Sequence, residues 1–160
     1  MANQRQQKQK LLEILRLLQR ETDAEHPIKC SEIIARLSQN KISAERKSVY
    51  SDLEILRQAG WDIRYRKNEG YWLNPRYSLA QLKLLSDAVS SLTMLSAVQA
   101  EQLNGALMAE CPRFQQPQLT PILPADHTSG ADILANIDQI LRALRKSVEI
   151  EFRYFDITVH

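Results

Sequence analysis

The chain contains few of the residues from which enzyme sites are built. It has only four glycines, and none of them forms a glycine-rich loop for a phosphate group. Its three histidines, His26, His127 and His160, are predicted in loops or at the terminus with no motif around them. No nucleophile lies in a recognisable strand-to-helix elbow. We therefore expect a protein that is not an enzyme and that uses no cofactor.

Cysteine is also scarce. Cys30 and Cys111 are far apart in sequence, and neither has a Cys or His neighbour at metal-ligand spacing. Two such residues are typical of free thiols in a reducing compartment, and the alternative is a redox sensor. We expect no metal site.

Long apolar runs are missing as well. No stretch approaches the roughly 18 residues that a transmembrane helix requires. Residues 1–10 (MANQRQQKQK) are basic and polar, and they lack the apolar core and cleavage site of a signal peptide. The sequence therefore predicts a cytoplasmic protein without membrane contact.

Charge is unevenly distributed, although the formal net charge is only +2. Residues 1–77 contain 15 Lys and Arg against 10 Asp and Glu, a net charge of +5. Residues 78–160 contain 6 Lys and Arg against 9 Asp and Glu, a net charge of −3. A basic first half joined to an acidic second half favours a polyanion-binding head on a non-binding body.

Three amphipathic helices are predicted in the first 60 residues. The first runs from about Gln6 to Arg20, and the second follows Ser31, a plausible N-cap. The third covers about residues 44–59, with Ser43 as its N-cap. Its buried stripe, at i, i+4 and i+7, consists of Val49, Leu53 and Leu56.

A β-hairpin is predicted directly after the third helix. Gly60 suits the left-handed position just past a helix end. Trp61, Ile63 and Tyr65 then alternate with charged residues, which is the period-two pattern of a half-buried strand. The tip at residues 66–70 (RKNEG) contains Asn and Gly, which adopt positive φ readily.

The rest of the chain predicts two more helices and a linker. Helix four starts at a capping box on Ser78 and runs to about Leu92. Its predicted apolar side consists of Leu79, Leu82, Leu85, Ala88, Val89 and Leu92. Helix five starts at Ser96 and ends before Pro112. Four of the six prolines lie between Pro112 and Pro124, so residues 112–130 are predicted to be the linker.

A sixth helix and a strand complete the pattern. Helix six spans roughly Ala131 to Lys146, and its predicted buried face consists of Ile133, Leu134, Ile137, Ile140, Leu141 and Leu144. The alternation in VEIEFRYFD, from Val148 onward, predicts a strand with no later sequence to pair with it. Such a strand favours pairing with another chain or with a domain that is missing here.

Together these elements predict a mainly α fold with a small β-hairpin. Residues 1–77 form a winged helix-turn-helix domain, because helix, short helix, turn, longer helix and hairpin is the order of that fold. Residues 78–146 form a helical linker or dimerisation region. Residues 147–160 provide one terminal β-strand.

The predicted head has the chemistry of a DNA-binding domain. A major groove about 12 Å wide admits one helix, while Lys and Arg side chains hold the phosphates. We expect the helix at about 44–59 in the major groove and the wing at 64–70 on the backbone or minor groove. The candidate contact residues on the helix are Ser43, Arg46, Lys47, Ser48, Tyr50 and Ser51, and those on the wing are Arg64, Arg66, Lys67 and Asn68.

Several candidates have another interpretation. Instead of contacting DNA, Arg46 is alternatively expected to pair with Glu45 or Asp52. The alternative for Ser48 is a hydrogen bond back to its own helix. Tyr50 packs its ring and leaves only the hydroxyl for a phosphate. Asp52 itself is interpreted as a carboxylate that positions the helix. The remaining aromatic residues are expected to pack on the sheet rather than stack on bases: Trp61, Tyr65, Tyr71 and Trp72.

The run AERKSVYSDLEILRQAGWDIRY at 44–65, followed by GYWL at 70–73, resembles the winged-helix domain of bacterial transcriptional regulators that carry a WYL domain. RYSLAQLKLLSDAVSSLTMLS at 76–96 is similar to the linker helix of that family. ANIDQILRALRKSVEIEFRYFD at 135–156 is similar to the helix and first strand that open the WYL domain. The Trp-Tyr-Leu triplet and the rest of that domain are absent, so the chain is expected to end where the domain begins.

The resemblance implies a sequence-specific DNA-binding transcriptional regulator that is dimeric and binds double-stranded DNA. It also implies an effector domain, but none of that domain's effector residues is present to assign. The alternative is a winged-helix module for protein–protein assembly. The polarity of the outward face of helix three distinguishes the two, because an apolar face favours a protein partner.

Overall fold

The structure of the protein, a computed structural model, describes residues 2–120 and 133–151. Within these ranges the chain is mainly helical, with one two-stranded antiparallel sheet. The helices are α1 (Ala2–Glu21), α2 (Cys30–Gln39), α3 (Arg46–Gln58), α4 (Leu79–Ser91), α5 (Ala97–Ala109) and α6 (Ile133–Lys146). The strands are β1 (Ile63–Arg66) and β2 (Gly70–Leu73), and a short 3-10 helix covers Gln116–Leu119. The prediction of a mainly α fold with a small hairpin is confirmed.

Helices α1, α2 and α3 pack together with the hairpin around one hydrophobic core. Apolar residues three and four positions apart give each helix a single buried face. The principal members are Ile14, Leu18, Ile33, Leu37, Ile42, Val49, Leu53, Leu56, Ile63 and Leu73. Burying one such side chain stabilises the fold by about 1.5–3 kcal/mol. The core therefore holds α3 firmly by one face only.

The predicted cap of α2 is wrong. Ser31 lies inside the first turn, because Lys29 is the N-cap and α2 begins at Cys30, two residues earlier than predicted. The carboxylate of Glu32 accepts a hydrogen bond from the backbone amide of Lys29 at 2.7 Å. The start of α2 is therefore capped by this acidic side chain of the first turn, and not by the serine hydroxyl.

The predicted cap of α3 is also wrong. Burial of Ile42 in the core holds the following residues in an extended path, so the helix starts only at Arg46. Glu45 is the N-cap, Ser43 is exposed before it, and no side chain hydrogen-bonds to this helix end. The amides of the first turn of α3 are therefore left without a side-chain acceptor.

The hairpin pairs Ile63 with Leu73 and Tyr65 with Tyr71 in antiparallel register. Ile28 forms a single-residue β-bridge with β2, because its amide and its carbonyl each hydrogen-bond the backbone of Tyr71 at 2.8 Å. The lateral order is therefore Ile28, β2, β1, which leaves β1 as the outer strand. The hairpin tip has the predicted positive φ angles, and Gly60 has φ +95° just past α3.

Helices α4 and α5 form a second packed unit. The predicted capping box at Ser78 is present, and Ser96, predicted as the start of helix five, also forms a capping box with Gln99. The buried side of α4 differs from the prediction, since Leu82 is buried together with Ser86 and Ser90. The Ser86 hydroxyl lies 2.9 Å from both Asn104 Oδ1 and the Leu119 carbonyl, so hydrogen bonding selects this face. Two leucines of the predicted face are exposed instead, Leu85 and Leu92.

The first part of the predicted linker, residues 112–120, is packed structure and not a linker. Cys111 and Leu119 are buried against Leu82 of α4, and Leu119 is the last residue of the 3-10 helix. The backbone amide of Arg113 donates to the carbonyl of Arg20 at 2.9 Å, which satisfies one of the free carbonyls at the end of α1. Residues up to 120 therefore fasten the α4–α5 unit to the head. Residues 121–130 lie outside the described ranges.

Helix α6 forms as predicted, but most of its predicted buried face is exposed within the part of the chain that the structure describes, and Leu134 is half-buried. Ile137, Ile140, Leu141 and Leu144 are all exposed, the last by 66%. The first residues of the predicted final strand, 148–151, are not in a strand. The remainder of that prediction lies outside the described residues.

Gly70 provides a test of the hairpin geometry. A Cβ there would overlap the carbonyl group of Ile28, and the φ of +127° is unfavourable for any side chain. We expect Gly70→Ala to lower the free energy of unfolding by about 3 kcal/mol or more in urea titrations. Gly60→Ala is the control, since its φ is positive but nothing lies within 4 Å, and we expect a loss of only about 1–2 kcal/mol. Equal losses in the two variants would contradict the close contact with Ile28.

Candidate nucleic-acid interface

The exposed edge of α3 carries most of the predicted helix contacts. Val49, Leu53 and Leu56 turn one face of the helix into the core. The side chains three and four positions apart on the other side therefore project from the head. The exposed residues on this side are Arg46, Lys47, Tyr50 and Ser51, and Ser43 is exposed just before the helix. Among the described residues, neither Arg46 nor Lys47 forms an ion pair, so the predicted alternative for Arg46 is wrong.

Ser48 lies apart from that edge. It is half-buried, and its hydroxyl accepts a hydrogen bond from the ammonium group of Lys10 on α1. The predicted alternative for Ser48, a bond back to its own helix, is therefore replaced by a bond to another helix. A hydroxyl held in this way positions the start of α3 rather than facing outward.

Lys10 and Asp52 form a buried ion pair between α1 and α3. Lys10 Nζ lies 2.9 Å from Asp52 Oδ2, and the two side chains are only 8% and 13% exposed. The oxygen has no partner with hydrogen-bond geometry, so the contact is chiefly ionic. Asp52 positions the helix, as predicted, but through Lys10 rather than Arg46.

Lys10 was not among the predicted site residues, although its position in the sequence indicates a buried ion pair. Lys10 lies four residues before Ile14 and eight before Leu18, both fully buried, so it occupies the apolar stripe of α1. A lysine on such a stripe needs a buried carboxylate as its partner. Asp52 occupies the corresponding place beside the stripe of α3.

The arginines of the predicted wing, residues 64–70, are already paired with carboxylates of the hairpin. Arg64 Nε lies 2.5 Å from Asp62 Oδ1, and Arg66 Nη1 lies 2.5 Å from Glu69 Oε2. The hydrogen bond from Arg64 holds the pKa of Asp62 below its ordinary value. At the tip, Lys67 and Asn68 are exposed, and among the described residues Lys67 has no ion-pair partner. The free positive charge of the wing is therefore concentrated on Lys67.

The two faces of the hairpin carry different chemistry. Cross-strand partners share a face, and successive residues alternate between faces. The Tyr65–Tyr71 pair therefore lies on the same face as the buried Ile63–Leu73 pair, toward α3. The arginines of β1 lie on the opposite face, where Arg66 stacks on the Trp72 ring at 5.1 Å.

Tyr65 packs on the sheet as predicted, since its ring centroid lies 4.8 Å from that of its cross-strand partner Tyr71. It is nevertheless 55% exposed. Tyr71 is half-buried between α3 and β1, and burial, followed by its neighbours Tyr50 and Tyr65, raises the pKa of its phenol above the ordinary value. Tyr71 therefore packs as predicted, while Tyr65 sits on the outer strand beyond the end of the core.

A polar cluster joins the head to the α4–α5 unit. Asp23 accepts hydrogen bonds from the amides of Glu25 and His26 and from the side chain of Gln115, the last at 2.5 Å. Burial raises the pKa of Asp23, but these bonds and the His26 ring outweigh it and leave the pKa below its ordinary value. The His26 ring also packs on Phe114, with 4.1 Å between centroids. This joint fixes the base of α1 to the segment that follows α5.

Other site types lack support in the described ranges. No group of three or more His, Cys, Asp or Glu residues there is arranged to hold a metal ion. Cys30 and Cys111 are buried free thiols, and burial raises the pKa of Cys111. None of the described helices is long and apolar enough to cross a membrane.

The Lys10–Asp52 pair predicts a specific pattern of stability. Lys10→Met leaves the Asp52 carboxylate buried without its cation, so we expect a loss of about 3 kcal/mol in the free energy of unfolding. Adding Asp52→Leu removes the orphan charge and should recover most of that loss. Lys8→Met, at an exposed position of the same helix, is the control and should change stability by no more than about 0.5 kcal/mol. A Lys10→Met variant as stable as the control would contradict the buried pair.

No family model matches the chain, and no curated protein or solved structure matches it either. The function is therefore inferred from the geometry of α3 and the hairpin.

Proposed function

We propose that the protein is a sequence-specific DNA-binding transcriptional regulator, with α3 in the major groove and the hairpin beside it on the backbone. The observation that carries this proposal is the exposed edge of α3. It presents Arg46, Lys47, Tyr50 and Ser51 side by side on a helix whose other face is locked into the core. Side chains that donate and accept hydrogen bonds from a rigid helix are what base edges require.

The start of α3 suits a phosphate group. Glu45 caps it without a side-chain bond, so the first amides point outward from the positive end of the helix dipole. Lys47 and Lys67 add positive charge from the helix and from the wing tip. Such contacts fix the register of a helix in the groove and supply most of the salt-dependent affinity.

The roles of the wing residues differ in this proposal. Lys67 and Asn68 at the tip reach the backbone or minor groove. Arg64 and Arg66 keep their carboxylate partners, so each adds less net charge than a free arginine. Ser48 acts through Lys10 as a positioning residue and does not contact a base.

The alternative, a winged-helix module for protein assembly, is less well supported. Its expected feature is an apolar outward face on α3. Ile55 is exposed near the end of the helix, but the first two turns present cations, a serine and a tyrosine. The resemblance of residues 44–73 to WYL-type bacterial regulators also favours DNA.

We also propose that the protein acts as a homodimer through its second half. Leu84 of α4 is 72% exposed, Val98 of α5 is exposed, and the apolar face of α6 has no cover among the described residues. Light scattering should therefore give twice the mass of one chain at assay concentrations. A monomer mass would exclude dimerisation without affecting the argument for α3.

DNA binding is tested by the salt dependence of affinity. We expect wild-type protein to bind a labelled duplex of about 25 base pairs, with affinity falling steeply between about 50 and 200 mM salt. Lys47→Ala should weaken binding and reduce the slope of log K against log salt by about 1, because one phosphate contact is lost. Lys146→Ala, an exposed lysine at the end of α6, should change neither quantity. Affinity and slope that are unchanged in Lys47→Ala would contradict the assignment.

A further inference from the structure

Three tyrosines form a continuous aromatic surface between α3 and the hairpin. The ring centroids of Tyr50 and Tyr71 are 6.3 Å apart, and those of Tyr65 and Tyr71 are 4.8 Å apart. Tyr71 is the half-buried centre of this surface. The outer two rings are 44% exposed at Tyr50 and 55% exposed at Tyr65. We call Tyr50, Tyr65 and Tyr71 the tyrosine bridge.

The tyrosine bridge lies between the exposed edge of α3 and the inner face of β1. Tyr50 belongs to the exposed edge of α3, one turn after Lys47. Tyr65 lies on the face of β1 that turns toward α3, whereas Arg64 and Arg66 lie on the opposite face. A DNA strand that runs from the groove holding α3 toward the wing therefore meets Tyr65 before either arginine.

The chemistry of the bridge fits a sugar–phosphate chain. Its exposed rings offer apolar area to deoxyribose, and phenol hydroxyls are common donors to phosphate oxygens. Among the described residues the hydroxyls of Tyr50 and Tyr65 have no hydrogen-bond partner, so both are available. Positive charge lies close by, since Arg57 Cζ is 5.7 Å from the Tyr71 ring centroid and Lys47 shares the edge with Tyr50.

Base stacking fits the bridge less well. The interplanar angles are 48° and 39°, so the rings are tilted against each other and do not form a flat platform. Stacking on bases also requires single-stranded or unstacked DNA. The tilted rings instead form a surface along which a backbone can lie.

We infer that Tyr65, together with Tyr50, contacts the sugar–phosphate backbone of duplex DNA between the major groove and the wing. This inference rests on the proposed function and adds a contact residue, Tyr65, that the sequence pattern assigned to the interior of the sheet. The contact involves no charged side chain and is independent of base sequence. It contributes to affinity and register rather than to specificity.

Tyr65→Phe removes only the hydroxyl and keeps the ring that packs on Tyr71, so the fold is retained. We expect it to weaken binding to a mixed-sequence duplex of about 25 base pairs by about tenfold, as for a lost hydrogen bond to a charged group. Because no charge is removed, the slope of log K against log salt should stay at the wild-type value. Fluorescence anisotropy over a salt series measures both quantities.

Tyr77→Phe is the matched control. Tyr77 is also exposed, but it lines a groove between α4 and α5 and not the surface between α3 and the wing. Its affinity for the same duplex should equal that of wild type. If both hydroxyls bind one phosphate, Tyr50→Phe combined with Tyr65→Phe should cost less than the product of the single losses.

The outcomes separate this inference from the proposed function. Salt-dependent duplex binding by wild type with an unchanged affinity in Tyr65→Phe overturns the inference and leaves the proposed function standing. Absence of salt-dependent duplex binding by wild type overturns both. Tighter binding to the single strand than to the duplex, lost in Tyr65→Leu but kept in Tyr65→Phe, would show base stacking and overturn the backbone contact.

Discussion

The structure depends on how one face of α3 is fixed to α1 and α2. Val49, Leu53 and Leu56 hold that face in the core, and the ion pair between Lys10 and Asp52 fixes its N-terminal half. Apolar burial supplies most of the free energy that stabilises this packing. The ion pair sets the orientation of α3 on α1, because misplaced partners would leave a buried charge unpaired. Since the helix is held from one side, its other edge is both exposed and rigid. A helix that reads a DNA groove needs both properties.

The end of α1 is the second point on which the arrangement depends. The Thr22 hydroxyl donates to the Leu18 carbonyl at 2.7 Å and accepts from the Leu73 amide at 3.1 Å, which ties β2 to α1. One residue later, Asp23 binds Gln115, which ties the α4–α5 unit to the same helix end. Helix α3, the hairpin and the second unit therefore share α1 as a common support. The end of α1 connects the second unit to the hairpin through Thr22 and Asp23.

The parts of this fold that follow local rules could be predicted from the sequence. Apolar spacing located the helices, the capping box at Ser78 located the start of α4, and the N-cap Ser96 located the start of α5. Predictions failed where tertiary packing or hydrogen bonding decided the outcome. Ile42 is buried and α3 starts later than predicted, at Arg46. Leu119 packs on Leu82, so part of the predicted proline-rich linker is packed structure. The hydrogen bond from Ser86 to Asn104 places a different face of α4 against α5.

The same division holds for the candidate site. The exposed edge of α3 and the hairpin tip follow from periodicity, whereas Ser48 and Tyr65 depend on tertiary partners that periodicity does not reveal. The most direct test of DNA recognition by α3 is selection of bound sites from a random pool of duplexes. We expect enrichment of a defined motif, and with Arg46 and Ser51 replaced by Ala that motif should be lost while the protein stays folded. A folded wild-type protein that enriches no sequence over the starting pool would show that α3 does not read DNA.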